Sequence, residues 1–146
     1  MTTPLYTRDI LRLAASIPHL GRLAEAEASV ERKSPVCGSR IIVDVVLDAA
    51  GRVAALGQEV KACAFGQASA ALMGAHAPGC TPAELAEARD ALAGWLGGTR
   101  DDPGAWPGLD LLAPARRLSA RHGAILLPFQ AVAEAAALAA REAVRP

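Results

Sequence analysis

The sequence is poor in aromatic residues: only 3% of its 146 residues are Phe, Trp or Tyr, although 52% are hydrophobic. Such a chain must build its core from Leu, Ile, Val and Ala, which favours closely packed helices over an aromatic-rich β-sandwich. The length is sufficient for one domain with a single core. We therefore expect residues 1–146 to form a single domain.

The sequence also lacks an excess of either charge. Fifteen Lys and Arg residues balance fifteen Asp and Glu residues, and neither half of the chain is markedly basic or acidic. A nucleic-acid-binding protein normally carries a basic surface that displaces counterions from phosphates. We therefore expect no nucleic-acid partner.

Long apolar runs and paired cysteines are missing as well. No uninterrupted apolar run approaches the roughly 18–20 residues that cross a bilayer, and the interleaved charges Arg8, Asp9 and Arg12 are unlike a secretory signal. Three Cys, separated by 26 and 17 residues, form a poor disulfide framework. These absences predict a cytoplasmic protein without a membrane partner, in which Cys is more often buried, catalytic or metal-binding than bridged.

The predicted elements follow an α+β order, with strands first and most helices after them. Thr7 caps a first helix that ends by Pro18 and Gly21, and Gly57 is a candidate β-bulge. Thr81-Pro82-Ala83-Glu84 has the pattern of a capping box. We predict a small antiparallel sheet of about three strands packed against about five helices. The strands are predicted at 27–33, 38–48 and 53–63. The later helices are predicted at 65–76, 82–95, 109–117 and 128–144, with a loop at 99–108.

Two cysteines carry the most informative pattern in the chain. Cys63 lies where a strand-like run ends and a small-residue helix begins, so free backbone N–H groups and the helix dipole would favour its thiolate. Cys37 lies in a turn-like segment at the far end of the preceding hairpin pattern. Two thiols delivered by adjacent turns suggest metal or sulfur chemistry. The alternative, a buried Cys that fills core space, stays open at this point.

The remaining candidates are weaker. Cys80 follows the helix that starts near Cys63, which would carry it about 15–18 Å away, and we interpret it as a loop residue without a role. His122 is either a solvated group beside Arg121 or a partner of thiolates on a metal. His19 and His76 are interpreted as turn and helix-end residues, and no Ser/His/Asp grouping or phosphate loop is indicated.

Taken together, these motifs resemble the iron–sulfur cluster assembly scaffold family, the U-type scaffolds that include the N-terminal domain of NifU. The turn Ser34-Pro35-Val36-Cys37-Gly38-Ser39 is similar to the family's Asn-Pro-x-Cys-Gly-Asp. The segment from Ala62-Cys63 to Ser69 and Met73 is similar to its Gly-Cys-x-x-Ser-x-Ala-Ser. The resemblance covers essentially the whole chain. The long stretch after Cys63 resembles the branch whose members bind zinc and accept sulfur from a cysteine desulfurase.

The resemblance implies a set of site residues and partners. Cys37 and Cys63 would bind metal or sulfur, Cys63 would be the sulfur acceptor, and His122 would assist as a metal ligand. The bound species would be a transient iron ion or iron–sulfur cluster, or zinc, or none. The partners would be a cysteine desulfurase and iron–sulfur assembly proteins, and the chain could form a homo-oligomer.

The chain departs from the family pattern at two ligand positions. Gly123 stands where the family has a third Cys, and Ser39 stands where it has an Asp, so two of four ligands are kept. The leading hypothesis is a divergent scaffold or sulfur carrier rather than an enzyme. The alternatives are a degenerate structural or regulatory relative that docks on the assembly machinery, and a zinc-dependent sulfurtransferase.

Overall fold

The computed structural model describes residues 6–35 and 38–144. Within these ranges the chain forms four α-helices, one 3₁₀ helix (η1) and three strands, which confirms the predicted α+β class. Their bounds are α1 Arg8–Ala14, β1 Ala28–Lys33, β2 Arg40–Leu47, β3 Val53–Lys61, α2 Ala64–His76, α3 Pro82–Leu96, η1 Leu109–Ala115 and α4 Ser119–Ala143.

The three strands form an antiparallel sheet in the order β1-β2-β3. Arg40, the first residue of β2, pairs with Lys33 at the end of β1 and with Lys61 at the end of β3. The middle of β2 is buried, as expected for a β-branched central strand, and α4 packs against β1 and β2. Charged β1 is an edge strand, as its composition predicts.

Helix α4 is longer than predicted. It begins at Ser119, so the prediction that it starts at Pro128 is wrong, and Pro128 lies buried inside the helix. Proline usually breaks a helix interior because it lacks an N–H group and so removes a backbone hydrogen bond. Here the burial of apolar side chains on both sides of Pro128 outweighs the loss of that hydrogen bond. By length and apolarity alone α4 could cross a membrane. However, 61% of its most apolar 18-residue window is buried inside the protein, as in a core helix.

Gly57 is not a bulge, which corrects a second prediction. It pairs regularly with Asp44, and the register shift lies instead between Val46 and Leu47. A Cβ atom at position 57 would lie 2.6 Å from the carbonyl oxygen of Gly21. Gly57 is therefore needed because the segment at 19–21 runs against β3, where Gly21 N–H donates to the Gln58 carbonyl over 2.8 Å.

A buried carboxylate fixes the next part of that segment to the sheet. Asp44 of β2 is fully buried and accepts hydrogen bonds from the Arg22 guanidinium (Nε at 2.7 Å), the Leu23 N–H group (2.9 Å) and the Ser29 hydroxyl. Burial alone would raise the pKa of Asp44, but these hydrogen bonds, that of Arg22 foremost, hold it below its ordinary value. Asp44 is therefore an ionised structural group.

Candidate functional site

The segments that carry most of the site residues predicted from the sequence lie at one end of the sheet. Ser34 directly follows β1, Ser39 directly precedes β2, and the segment Ala62–Cys63 follows β3. The Ser34 N–H group donates to the Ser39 carbonyl over 2.8 Å, which closes the β1–β2 connection at its base. Because β1, β2 and β3 are paired through Arg40, these three strand ends lie side by side.

Helix α4 joins these strand ends through its second turn. A Cβ atom built on Gly123 would lie 2.8 Å from the hydroxyl oxygen of Ser34, so the two residues are in direct contact. A Cβ atom on Gly66, in the first turn of α2, would lie 3.3 Å from the Cβ atom of Ala124. We call the surface formed by Ser34, Ser39, Cys63 and Gly123 the rim. The structure thus brings Gly123 to the β1–β2 connection and its neighbour Ala124 to the first turn of α2.

A buried hydrogen bond holds the two helices of the rim together. The hydroxyl of Ser69, on α2, donates to the carbonyl oxygen of Ile125, on α4, over 2.6 Å, and Ser69 is fully buried. A hydroxyl in such a place must find an acceptor, because an unpaired buried polar group is costly. Ser69 therefore sets the distance between the helix that starts after Cys63 and the helix that carries Gly123.

Cys63 is the N-cap residue of α2, as the strand-to-helix transition predicts. Its backbone is extended, with φ −66° and ψ 172°, and its side chain makes no capping hydrogen bond. Its carbonyl oxygen accepts from the Gln67 N–H group over 2.9 Å, which begins the helix. The residue is half-buried and packs against the edge of the core. It therefore lies between the core and the surface, beside the unpaired N–H groups of the first helical turn.

Of the other two predicted ligand positions in the strand-end segments, the structure describes Ser39 but not Cys37. Cys37 lies outside the described residues, so its role stays a prediction. Ser39 is buried, with 3% of its surface exposed, and Ser34 is buried to a similar degree. Both therefore belong to the inner wall of the rim.

His122 lies within the first turns of α4, not before the helix as predicted. Its Nε2 atom is 3.0 Å from the carbonyl oxygen of Ala115 and 2.8 Å from that of Arg116. Two carbonyl oxygens can only accept, so Nε2 is the donor in these contacts, and Nδ1 is the ring nitrogen that they leave unused. In this arrangement His122 ties the start of α4 to the end of η1.

Cys80 is separate from the rim, which agrees with its interpretation as a loop residue. It lies just after α2, at the end opposite Cys63, and its thiol donates to the His76 carbonyl oxygen over 3.2 Å. Burial raises the pKa of Cys80, and the negative charge of Glu84 raises it further, while Arg52 acts in the opposite direction. These surroundings disfavour a reactive thiolate.

A closed metal site is not formed by the described side chains. Across residues 6–35 and 38–144, no group of three or more His, Cys, Asp or Glu side chains is placed to hold a metal ion. A closed tetrahedral zinc site requires four ligands. Cys63, Cys37 and the Nδ1 atom of His122 would supply three at most, because Gly123 has no side chain and the Ser39 hydroxyl stays protonated near neutral pH.

Sequence reasoning missed two residues that shape the rim, Ser34 and Ser69. Ser34 stands where the family motif has Asn, and its hydroxyl contacts Gly123, which stands where the motif has Cys. Both departures are visible in the sequence, but only the structure shows that the two positions touch. Ser69 is part of the small-residue motif after Cys63, and only the packing of α2 on α4 reveals its partner.

The comparisons with solved structures agree with this fold. No protein-family model and no curated protein matches the chain. Among solved structures, the N-terminal domain of a nitrogen-fixing NifU-like protein from Brucella abortus is 34% identical. The match covers 94% of this chain and 96% of that one, with a TM-score of 0.89.

Two more distant structures share the fold. One is assigned as an iron–sulfur cluster assembly scaffold protein for the SUF system, from Fervidobacterium islandicum AW-1, with 20% identity, a TM-score of 0.83 and coverage of 90% of this chain and 96% of that one. The other is a hypothetical protein with 22% identity, a TM-score of 0.72 and coverage of 91% and 97%. The fold and rim define a U-type scaffold domain. The chain belongs to the NifU-like family of these domains, as its two cysteine motifs predict.

Proposed function

We propose that the protein is a divergent scaffold or sulfur carrier of iron–sulfur cluster assembly that acts in the cytoplasm. The observation that carries the proposal is the position of Cys63, a half-buried thiol at the start of α2 on the rim shared with Gly123 and Ser34. Family membership supports it, since the Brucella abortus relative is described as nitrogen-fixing and NifU-like. Cys37 would supply the second thiol.

The proposed sulfur step is a transfer from the persulfide of a cysteine desulfurase. The Cys63 thiolate attacks the outer sulfur of that persulfide, a new S–S bond forms on Cys63, and the old S–S bond breaks. The desulfurase cysteine leaves as a thiolate, and the persulfide proton moves with the transferred sulfur. No net oxidation occurs. As a half-buried N-cap residue of α2, Cys63 places its sulfur beside the free N–H groups of the first helical turn.

The proposed ligands Cys37, Cys63 and His122 suit a transiently bound iron ion or cluster better than a permanently bound zinc ion. Two cysteines and one histidine nitrogen leave at least one coordination position open, and His122 can contribute only through Nδ1 unless it releases the carbonyls of Ala115 and Arg116. An iron ion or a cluster that is built and passed on needs such an open position. A zinc-dependent sulfurtransferase would need all three donors on one ion.

A second candidate function is favoured by the contact of Ser34 with Gly123. The Ser34 hydroxyl occupies the space into which a side chain at position 123 would point. With the space at position 123 occupied in this way, the protein would dock on the assembly machinery and carry neither metal nor sulfur. A fold does not guarantee the chemistry of its family.

Metal content and persulfide transfer together test the proposal. Tag-free protein purified without oxygen would be analysed for iron, zinc and acid-labile sulfide, then incubated with a cysteine desulfurase and radiolabelled cysteine. We expect sulfur label on the native chain and on Cys80→Ser, the matched control at the far end of α2. We expect the label to be lost in Cys63→Ser, and metal or sulfide to be reduced in both Cys63→Ser and Cys37→Ser.

Two outcomes would contradict the carrier function. One is equal sulfur labelling of the native chain and Cys63→Ser. The other is equally low metal, sulfide and sulfur label in the native chain and both variants. If a desulfurase nevertheless co-purifies with the double variant Cys37→Ser/Cys63→Ser as well as with the native chain, the docking function is supported instead.

A further inference from the structure

A groove of about 440 Å³ runs between α3 and α4, on a part of the molecule that the rim does not use. The residues of α4 that line it extend from Gln130 to Arg141, which corresponds to about 16 Å along the helix. Its floor is made of small side chains, including Ala133, which is buried, and Ala137, which is half-buried. The groove is therefore shallow, elongated and accessible to an extended or helical segment.

Three arginines line this groove, Arg32 from β1, Arg89 from α3 and Arg141 from α4, against one carboxylate, Glu134. The lining residues therefore carry more positive than negative charge, although Asp90, beside the groove, pairs with Arg89. We call it the arginine groove. A local concentration of one charge attracts a ligand of the opposite charge and orients it.

Several guanidinium N–H groups of these arginines make no hydrogen bond with the residues that the structure describes. Arg141 is exposed, and its guanidinium group makes no hydrogen bond or ion pair with any residue that the structure describes. Arg32 uses only Nη1, which is 3.0 Å from Glu134, and its Nε atom is buried without a partner among the described residues. Arg89 pairs only with its neighbour Asp90, at 2.9 Å, and both side chains are partly exposed. Such exposed pairs are weak and readily exchanged.

The spacing of these charges selects the class of ligand. A compact anion such as phosphate would contact one or two guanidinium groups and leave the rest of the groove empty. A chain with several carboxylates would meet charges along the whole length and would cover the alanine floor with its apolar atoms. Guanidinium groups also bind carboxylates through two parallel hydrogen bonds, which adds orientation to charge.

We propose that the arginine groove is a docking site for an acidic segment of a partner protein. This inference goes beyond the scaffold or carrier function and uses none of its residues. The groove and Gly123 lie on α4 at positions at least seven residues apart, about 10 Å along the helix. A partner bound in the groove would therefore leave the rim accessible.

Fluorescence anisotropy with a fluorescein-labelled hexaglutamate peptide tests the proposal on the full chain at low ionic strength. The test variant is Arg89→Gln/Arg141→Gln, which keeps the pair between Arg32 and Glu134. The control is Arg8→Gln/Arg117→Gln, which removes two positive charges from exposed positions outside the groove. We expect the peptide to bind the native chain, about tenfold weaker binding to the groove variant and a change below about twofold in the control. Circular dichroism verifies that both variants are folded.

Four results would overturn the proposal. The first is no anisotropy change with the native chain, and the second is an equal loss of binding in the groove and control variants. The third is displacement of the peptide by inorganic phosphate at equal concentration, which would indicate a compact anion site. The fourth is tighter binding of a single-stranded oligonucleotide than of hexaglutamate.

Discussion

Gly123 of helix α4 lies so close to Ser34 that a methyl group on its Cα atom would come within 2.8 Å of the serine hydroxyl oxygen. Real Cβ atoms essentially never approach another heavy atom so closely, so one residue must be glycine or the other must move. The family's third cysteine would stand at position 123. A cysteine at this position would therefore require the Ser34 hydroxyl to turn away.

The first prediction concerns restoration of the third thiol. Gly123→Cys should raise the iron or zinc content of the purified protein toward one ion per chain, because it adds a soft ligand on the rim that carries Cys63. The measurement is element-resolved metal analysis with thiol titration. Ser34→Ala/Gly123→Cys should retain at least as much metal, since removal of the hydroxyl relieves the close contact.

Gly123→Ala is the matched control for this experiment. It introduces the same Cβ atom and the same contact with Ser34, but no thiol. If Gly123→Cys, with or without Ser34→Ala, retains no more metal than Gly123→Ala, the rim is not a metal-binding surface.

The second prediction concerns Asp44 and acid stability. Because its folded pKa is lowered, Asp44 stabilises the fold at pH values above its unfolded pKa of about 3.9, and this contribution is lost as the pH falls through the folded pKa. Asp44→Asn should reduce the free energy of unfolding by about 2 kcal/mol at pH 7, since a neutral amide offers one acceptor oxygen in place of the two that accept from Arg22, Leu23 and Ser29. The difference from the native chain should shrink below about pH 4. Urea unfolding at several pH values measures both effects.

Asp101→Asn serves as the control, since Asp101 is exposed. It should change the free energy of unfolding by less than about 0.5 kcal/mol at every pH. A constant difference between native protein and Asp44→Asn from pH 7 to pH 3 would show that Asp44 is not held ionised by its partners.

The third prediction concerns the reactivity of Cys80. In the variant Cys37→Ser/Cys63→Ser, only Cys80 remains, and its rate of alkylation by iodoacetamide should have a midpoint above the ordinary thiol pKa of about 8.5, because burial and Glu84 disfavour the thiolate. In urea the midpoint should fall back to the ordinary value. A folded-state midpoint at or below that of the unfolded chain would contradict this account of its surroundings.

The fourth prediction compares two glycines. Gly57→Ala should lower the free energy of unfolding by about 2 kcal/mol, because the new Cβ atom meets the backbone oxygen of Gly21 at 2.6 Å. Gly94→Ala, on α3, meets the side chains of Arg100 and Thr99 at 3.1 Å, so that the flexible Arg100 can turn away and the Thr99 hydroxyl, which donates to the Gly94 carbonyl, needs to shift only slightly. Alanine also favours helix by about 1 kcal/mol. This second variant should be neutral or more stable. Similar losses in both would show that the contact at Gly21 is not the cause.

Most of the fold follows from local patterns in the sequence. Thr81 and Glu84 form the predicted capping box, with the Thr81 hydroxyl accepting from the Glu84 N–H group over 3.2 Å. The turn after β2 begins at Asp48, whose carboxylate accepts from the N–H groups of Ala50 and Arg52. These features depend on residues within four positions of one another, so the sequence displays them directly.

The wrong predictions depend on contacts between distant residues. Pro128 resembles a helix start because local chemistry favours proline in a first turn. In the folded protein, burial of Ile125 and Phe129 on either side keeps α4 continuous through it. Gly57 resembles a bulge, but its partner is Gly21, which is 36 residues away. The cysteine motifs direct attention to the segments that meet at one end of the sheet, and the roles of Cys37 and Cys63 stay predictions. The contact between Ser34 and Gly123 could be found only from the packing of α4.

Helix α2 separates Cys63 from Cys80 by its full length of 13 residues, which is about 20 Å. A disulfide requires Cα atoms within about 7 Å, so these two cysteines cannot cross-link within one folded chain. Oxidative damage that couples Cys63 to Cys80 must therefore join two molecules. Its product is a covalent dimer that a reductant separates, and non-reducing electrophoresis of aged protein would display it as a doubled mass.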